Sequence, residues 1–110
     1  MKKIYVAEPW LSKKDFDFIG QILKNNFVTE NKLNSEFEKQ FKIKFKTKYA
    51  TTYSNGTMGL YGAIKSLNIK KGNEIILPNI SFIASATSII AAGLTPVFCD
   101  LKKNSFKLDL

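Results

Sequence analysis

Histidine and arginine are absent from this sequence, and cysteine occurs only once, at Cys99. Without histidine there is no Ser-His-Asp or Cys-His nucleophilic site and no metal held by imidazole. A single cysteine excludes both an internal disulfide and a zinc site made from a cluster of cysteines. Any acid–base chemistry therefore falls to lysine, aspartate, glutamate or tyrosine, and we expect no metal site.

Positive charge dominates, because the 110 residues include 17 lysines but only 9 acidic residues, which gives a net charge of +8. Such a surplus can neutralise nucleic-acid phosphates. Base recognition favours arginine, however, and the lysines are spread along the chain, with even the densest run, residues 39–48, containing interleaved apolar residues. We expect a solvated lysine face and no nucleic-acid partner; a small basic nucleic-acid-binding or interaction module remains the alternative.

Long apolar runs are also missing. The N-terminus has no apolar core of signal-peptide length, and the longest weakly polar stretch, residues 80–94, falls short of the roughly 20 residues that span a bilayer. We therefore expect a cytoplasmic protein with no membrane partner.

The first 47 residues predict a helical arm. Ser12 and Asp15 have the spacing of a capping box, in which the serine oxygen accepts a first-turn N–H and the carboxylate reaches back. The helix that follows is predicted to end near residues 25–26, before an extended link over residues 27–31. A second amphipathic helix is indicated by apolar residues at every fourth position, although the alternation after Phe41 also fits a strand. Those positions are Leu33, Phe37, Phe41 and Phe45.

Residues 48–110 predict an α/β region. β-prone and helical segments alternate here as βαβαβ, which indicates a parallel sheet covered on both faces. The predicted elements are a strand at 49–53, a helix at 56–68, a turn at 71–73, a strand at 74–78, a helix at 81–92 ended by Gly93, and a strand at 95–99. Three short strands and two helices leave sheet edges and faces uncovered, so we expect these 110 residues to be an incomplete folding unit.

The segment Ser54-Asn55-Gly56-Thr57-Met58 lies where the first predicted strand passes into a helix. Gly56 permits a sharp turn, and the N–H groups of Thr57 and Met58 are expected to be free donors at the positive end of the helix dipole. Such a helix end binds phosphate, and the Thr57 hydroxyl adds a donor. An ordinary turn with a helix cap explains the same residues.

Four segments in order, SNGTMGL at 54–60, LNIKKGNEIILP at 67–78, SFIASA at 81–86 and AGLTPVFCD at 92–100, resemble a known family. They are similar to the N-terminal part of the DegT/DnrJ/EryC1/StrS family, which are sugar aminotransferases of fold type I that use pyridoxal 5′-phosphate. The resemblance implies that this chain is the helical arm, residues 1–47, followed by part of the large cofactor-binding domain, residues 48–110.

The resemblance also implies roles for individual residues. Gly56, Thr57 and Met58 become the cradle for the cofactor phosphate, Phe82 stacks on the pyridine ring, and Thr29 borders the sugar site. Asp100 is read as structural or peripheral. The family's Schiff-base lysine, its pyridinium-pairing aspartate and the phosphate contacts from the partner subunit belong downstream of Leu110. No catalytic residue is therefore expected in this chain, which should be inactive by itself.

The implied function is transfer of an amino group, with glutamate as the expected donor, to a nucleotide-linked keto-sugar in surface-polysaccharide or amino-sugar biosynthesis. The complete enzyme is expected to be a homodimer. Residues 49–57 are similar to perosamine-synthase-like members, which favours a GDP-linked 4-keto-6-deoxy sugar. Gly59 and Gly62 depart from the family pattern. A cysteine-desulfurase-like enzyme of fold type I and an inactive gene relic remain alternatives.

Overall fold

The computed structural model of the protein describes residues 3–5, 7–24, 29 and 32–110. The chain forms two compact units, Met1–Ala50 and Thr51–Leu110, here called the N-terminal unit and the C-terminal unit. Each unit has its own local architecture. Across the described residues, no helix is both long and apolar enough to cross a membrane.

The first helix, α1, covers Lys13–Lys24 and begins with half of the predicted capping box. The Ser12 N–H donates to Asp15 Oδ2 at 2.7 Å, as the capping box predicts. The Ser12 hydroxyl, however, donates to the same carboxylate oxygen at 2.7 Å instead of accepting a first-turn N–H. Both hydrogen bonds stabilise the ionised carboxylate and lower the pKa of Asp15, with the side-chain bond the larger cause. The predicted end at residues 25–26 and most of the predicted link at 27–31 lie outside the described residues.

The second helix, α2, covers Lys32–Phe45. The residues after Phe41, whose pattern fits either a helix or a strand, are therefore helical. The rings of Phe37 and Phe41 have centroids 6.1 Å apart, and those of Phe41 and Phe45 lie 4.3 Å apart. This stacking follows from the four-residue spacing, which places the three rings on one side of the helix. Lys46 then takes a positive φ of 53°, the left-handed conformation that commonly follows a helix end.

The prediction of a strand at residues 49–53 is wrong, because these residues form neither a helix nor a strand. β-Propensity becomes a strand only where a neighbouring strand completes the backbone hydrogen bonds, and within the described residues none pairs with this segment. The observed order in the C-terminal unit is therefore αβαβ, consisting of α3 (Gly56–Ser66), β1 (Glu74–Pro78), α4 (Ala84–Ala91) and β2 (Thr95–Cys99).

The strands β1 and β2 pair in parallel with the register Glu74↔Thr95 to Pro78↔Cys99. Two glycines provide the left-handed residues that the connections require, Gly72 with φ 85° before β1 and Gly93 with φ 81° between α4 and β2. The helix predicted at 81–92 is shorter, because residues 79–83 form the connection from β1 and α4 begins only at Ala84.

The core lies on one face of the sheet. Leu77, Ile89 and Leu94 form a buried cluster, and four half-buried side chains pack against it: Ile64, Ile75, Ala86 and Ala92. Ile76 on β1 and Phe98 on β2 remain exposed, which agrees with the prediction that the elements of this chain leave sheet faces uncovered. After β2 the chain folds back on itself, with an antiparallel bridge between Leu101 and Leu108.

Candidate functional site

The candidate site begins with the cap of α3, which Asn55 provides. Its backbone is extended, with φ −165° and ψ 169°, and its side-chain oxygen accepts the Met58 N–H at 3.0 Å. Its carbonyl accepts the Gly59 N–H at 3.1 Å, the first hydrogen bond of the helix. Asparagine is among the preferred residues for this position, because its short side chain reaches the third N–H of the helix.

This cap changes the predicted set of phosphate donors. The prediction of a free N–H at Met58 is wrong, because that donor is already bonded to Asn55. Among the described residues, the N–H groups of Gly56 and Thr57 have no acceptor, and neither does the Thr57 hydroxyl. Two backbone donors and one hydroxyl therefore remain at the positive end of an 11-residue helix whose first turn contains no acidic residue.

Gly56 contributes open space instead of an unusual backbone conformation. The glycines with positive φ are Gly72 and Gly93, so the turn at Gly56 does not need a left-handed residue. A Cβ built at Gly56 meets no other atom within 4 Å. Gly56 is therefore unhindered on the side where a side chain would project, at a helix end with two free N–H groups.

A buried hydrogen bond ties this helix end to α4. The Ser88 hydroxyl donates to the Thr57 carbonyl at 3.1 Å, and Ser88 is only 1% exposed. The bond satisfies the one buried polar side chain found among the described residues and fixes the first turn of α3 against the middle of α4. The sequence carries no signal for this contact, since the two residues are 31 positions apart and serine is ordinary in a helix of small residues.

Phe82 lies in the connection between β1 and α4, in the same unit as α3. Its carbonyl accepts the Ser85 N–H at 3.1 Å, so its backbone belongs to the turn that starts α4. Its side chain is 77% exposed, and its ring is therefore available to a planar partner. The connection follows the carboxyl end of a parallel strand, where open α/β sheets bind their ligands.

The connection that carries Phe82 is anchored to the end of β2. The Asn79 N–H donates to the Cys99 carbonyl at 3.0 Å, and the Asn79 side-chain amide donates to the Asp100 carboxylate. Asp100 in turn accepts the Asp109 N–H through its carbonyl at 2.8 Å. Asp100 thus holds together the residues that follow the two strands, which agrees with the structural role predicted for it.

Thr29 is an exposed residue between α1 and α2 in the N-terminal unit. The structure therefore places Gly56, Thr57, Met58 and Phe82 in one unit and Thr29 in the other. The residues directly before and after Thr29 lie outside the described part of the chain.

The residues of the C-terminal unit fit a phosphorylated aromatic cofactor such as pyridoxal 5′-phosphate. The free N–H groups of Gly56 and Thr57 are donors for phosphate oxygens, and no carboxylate of the first turn opposes them. Phe82 offers an exposed ring for stacking. No cluster of three or more acidic, cysteine or histidine side chains suited to a metal occurs among the described residues.

Comparison with known proteins gives a consistent result. The model of the DegT/DnrJ/EryC1/StrS aminotransferase family matches residues 9–110. GDP-perosamine synthase of Caulobacter vibrioides is 33% identical over 110 residues, which are 99% of this chain and 30% of that enzyme. GDP-perosamine synthase of Escherichia coli O157:H7 is 32% identical, over 100% of this chain and 30% of its own length.

Solved structures confirm the predicted fold. GDP-4-keto-6-deoxy-D-mannose-3-dehydratase of E. coli, solved with bound hydrated pyridoxal phosphate, superimposes with a TM-score of 0.83 at 26% identity. The match covers 94% of this chain and 28% of the dehydratase. The α/β region is thus the N-terminal part of a fold type I domain, and the chain spans about 30% of the length of the relatives it matches.

Proposed function

Because the chain belongs to the DegT/DnrJ/EryC1/StrS aminotransferase family, we propose that it forms the phosphate-binding part of a sugar aminotransferase. The complete enzyme transfers an amino group, with glutamate as donor, to a nucleotide-linked keto-sugar used in surface-polysaccharide or amino-sugar biosynthesis. A GDP-linked 4-keto-6-deoxy sugar is the proposed acceptor, a choice supported by the two similar enzymes that act as GDP-perosamine synthases.

The free donors at the start of α3 carry this proposal. Gly56 and Thr57 offer two backbone N–H groups and one hydroxyl to the cofactor phosphate, and the open space at Gly56 lets the phosphate approach them. Met58 belongs to the same turn, but its N–H is held by Asn55 and so supports the cradle through the cap. Ser88 keeps this turn in place through the Thr57 carbonyl.

Phe82 is proposed to stack on the pyridine ring, and Thr29 to border the sugar. Pyridoxal phosphate, when bound, supplies the electron sink for amino transfer. The residues of this chain bind and orient the cofactor, and none of them is assigned a proton-transfer step. Stacking is supported by the exposure of the Phe82 ring and by the anchoring of its connection through Asn79.

We further propose that the complete enzyme is a cytoplasmic homodimer and that its lysines do not form a nucleic-acid site. Among the described residues, local contacts engage three lysines of the N-terminal unit. Lys39 lies 4.0 Å from a Glu36 carboxylate oxygen, and the ammonium groups of Lys3 and Lys48 lie 5.1 Å and 5.2 Å from the ring centroids of Tyr5 and Tyr49. Weak binding to nonspecific DNA at physiological ionic strength is the expected result, whereas tight binding with a steep salt dependence would favour the basic-module alternative.

A titration of the 15N-labelled chain with pyridoxine 5′-phosphate tests the cradle. This compound keeps the phosphate and the ring of the cofactor but has no aldehyde, so it cannot condense with the 17 lysines. We expect the amide signals of Gly56 and Thr57 to shift, and Thr57→Val to weaken binding by roughly threefold to tenfold through loss of one donor. Thr87→Val, which removes a hydroxyl from α4, should bind normally. Equal shifts with unphosphorylated pyridoxine would contradict a phosphate site.

A chimaera tests the enzymatic role. The matching segment of the Caulobacter enzyme is replaced by this chain, and the product is assayed for retained cofactor and for glutamate-dependent amination of a GDP-linked 4-keto-6-deoxy sugar. We expect the chimaera to retain the cofactor and to aminate the sugar. Phe82→Ala should lower cofactor affinity roughly threefold to tenfold, and Phe82→Tyr, which keeps a ring, should have an affinity close to that of the parent chimaera. A folded chimaera that does not retain pyridoxal phosphate would refute the proposal.

A further inference from the structure

The side chain of Tyr53 lies directly on a bare stretch of α3. A Cβ built at Gly62 would come within 2.5 Å of Tyr53 Cζ and 2.9 Å of Cε1, and closer still to the phenolic oxygen. Real Cβ atoms do not approach other atoms so closely, so the ring can occupy this place only because residue 62 is glycine. The ring is 50% exposed, which means that it rests on the helix surface instead of filling the core.

This contact lies away from the proposed phosphate position. Gly62 is six residues into α3 from Gly56, a rise of roughly 9 Å along the helix. At Gly62, Tyr53 therefore contacts α3 beyond its first turn. It does precede the cap residue Asn55 by only two positions, so the ring attaches the incoming segment to the same helix that Asn55 caps.

Residues 49–53 form no strand, and glycine in the interior of a helix is unfavourable relative to alanine. A glycine under an aromatic ring, beside a segment that pairs with no strand in the described part of the chain, indicates that the ring contact helps to anchor this segment.

Building on the proposed function, we propose that Tyr53 is a positioning residue for the phosphate cradle. Gly62 makes room for the Tyr53 ring because it has no side chain. The ring fixes the direction from which the chain enters Ser54 and Asn55. The Asn55 side chain is thereby held within reach of the Met58 N–H, and the N–H groups of Gly56 and Thr57 remain directed at the ligand.

Two measurements on the full chain test this role. Hydrogen exchange of the Met58 amide reports the Asn55 cap without any ligand, and titration with pyridoxine 5′-phosphate reports the cradle. Gly62→Ala should displace the ring, speed Met58 exchange and weaken binding, each by roughly fivefold to tenfold, the range expected for a lost cap. Global stability should change little, because alanine strengthens the helix while the ring contact is lost.

Matched variants separate positioning from general structural damage. Gly59→Ala is the control, because a Cβ there lies 3.9 Å from Tyr53 Cδ2, an ordinary contact, and we expect exchange and affinity within twofold of the parent. Tyr53→Phe keeps the ring and should behave likewise. Tyr53→Ala should match Gly62→Ala, and the double variant should be no worse than Tyr53→Ala, since both changes remove one contact.

Unchanged Met58 exchange and unchanged affinity in Gly62→Ala would overturn the proposal, as would fully additive effects in the double variant. If the parent chain does not bind pyridoxine 5′-phosphate, the proposed function fails. The positioning role is then judged by Met58 exchange alone, so the two failures are distinguishable.

Discussion

The two units of this chain contrast in what holds their helices in place. In the C-terminal unit, α4 buries Ala84, Ser88 and Ile89 against its neighbours. In the N-terminal unit, α1 and α2 bury no residue at all, and their aromatic side chains are exposed. Both units form helices, but among the described residues only those of the C-terminal unit form a buried core.

This contrast shows two ways of specifying a helix. α1 depends on the local hydrogen bonds of Ser12 and Asp15 and on its amphipathic spacing. In the C-terminal unit, α3 also has a local cap, from Asn55, but α3 and α4 are joined in addition by contacts between residues far apart in sequence, such as Ser88 with Thr57. Because short isolated helices are marginal in water, the N-terminal helices should respond to local and solvent changes, and the C-terminal unit to changes in packing.

The largest effect is expected for Leu77→Ala, which removes a side chain only 4% exposed from the core cluster. The free energy of unfolding of the C-terminal unit should fall by about 3 kcal/mol because a cavity replaces buried methyl groups. Phe37→Ala on α2, where the ring is 60% exposed, is the control and should change it by less than about 0.5 kcal/mol. Urea denaturation followed by NMR measures the free energy of unfolding of both variants. Similar decreases in the two variants would contradict the contrast between the units.

An intermediate effect is expected for Ser88→Ala. The variant loses the hydrogen bond to the Thr57 carbonyl, which should destabilise the C-terminal unit by about 1 kcal/mol. Ser85→Ala changes the same helix at a site where no side-chain hydrogen bond is described, and we expect a much smaller effect. Thermal denaturation of the two variants compares them directly; equal melting temperatures would show that the buried bond adds nothing to packing.

The smallest effect is expected from acid acting on the cap of α1 in the N-terminal unit. Hydrogen bonds from Ser12 depress the pKa of Asp15 in the folded state, so the ionised carboxylate stabilises α1 above the ordinary pKa of 3.8. That stabilisation is lost as the pH falls below 3.8 and through the lowered folded pKa. The 13C signal of the Asp15 carboxyl should titrate below the ordinary pKa of 3.8, and Ser12→Ala should raise the Asp15 pKa. Identical titration of Asp15 in the parent chain and in the Ser12→Ala variant would contradict the cap.

Sequence reasoning predicted the features that depend on neighbouring residues. The spacing of Phe37, Phe41 and Phe45 indicated α2, and glycine at positions 72 and 93 marked the turns before the strands. Both observed strands and the family itself follow from short segments read in order.

Features that depend on distant partners were not predictable in the same way. Residues 49–53 have strong β-propensity, but a strand also needs an adjacent strand, which the described residues do not provide. The Met58 N–H was predicted to be free because the sequence does not show which N–H the Asn55 side chain selects. Gly62 could be noted only as a departure from the family pattern until Tyr53 was seen lying on it.

The sequence by itself therefore determined the helix periods, the turn glycines, the family and the segment that forms the candidate phosphate cradle. Each of these depends on interactions within a few residues, or on a linear pattern. Only the tertiary structure decided which donors remain free, that Ser88 holds the Thr57 turn, and that Tyr53 fills the place left open by Gly62. These depend on distances between residues far apart along the chain or on opposite sides of a turn, which become defined only when the backbone has folded.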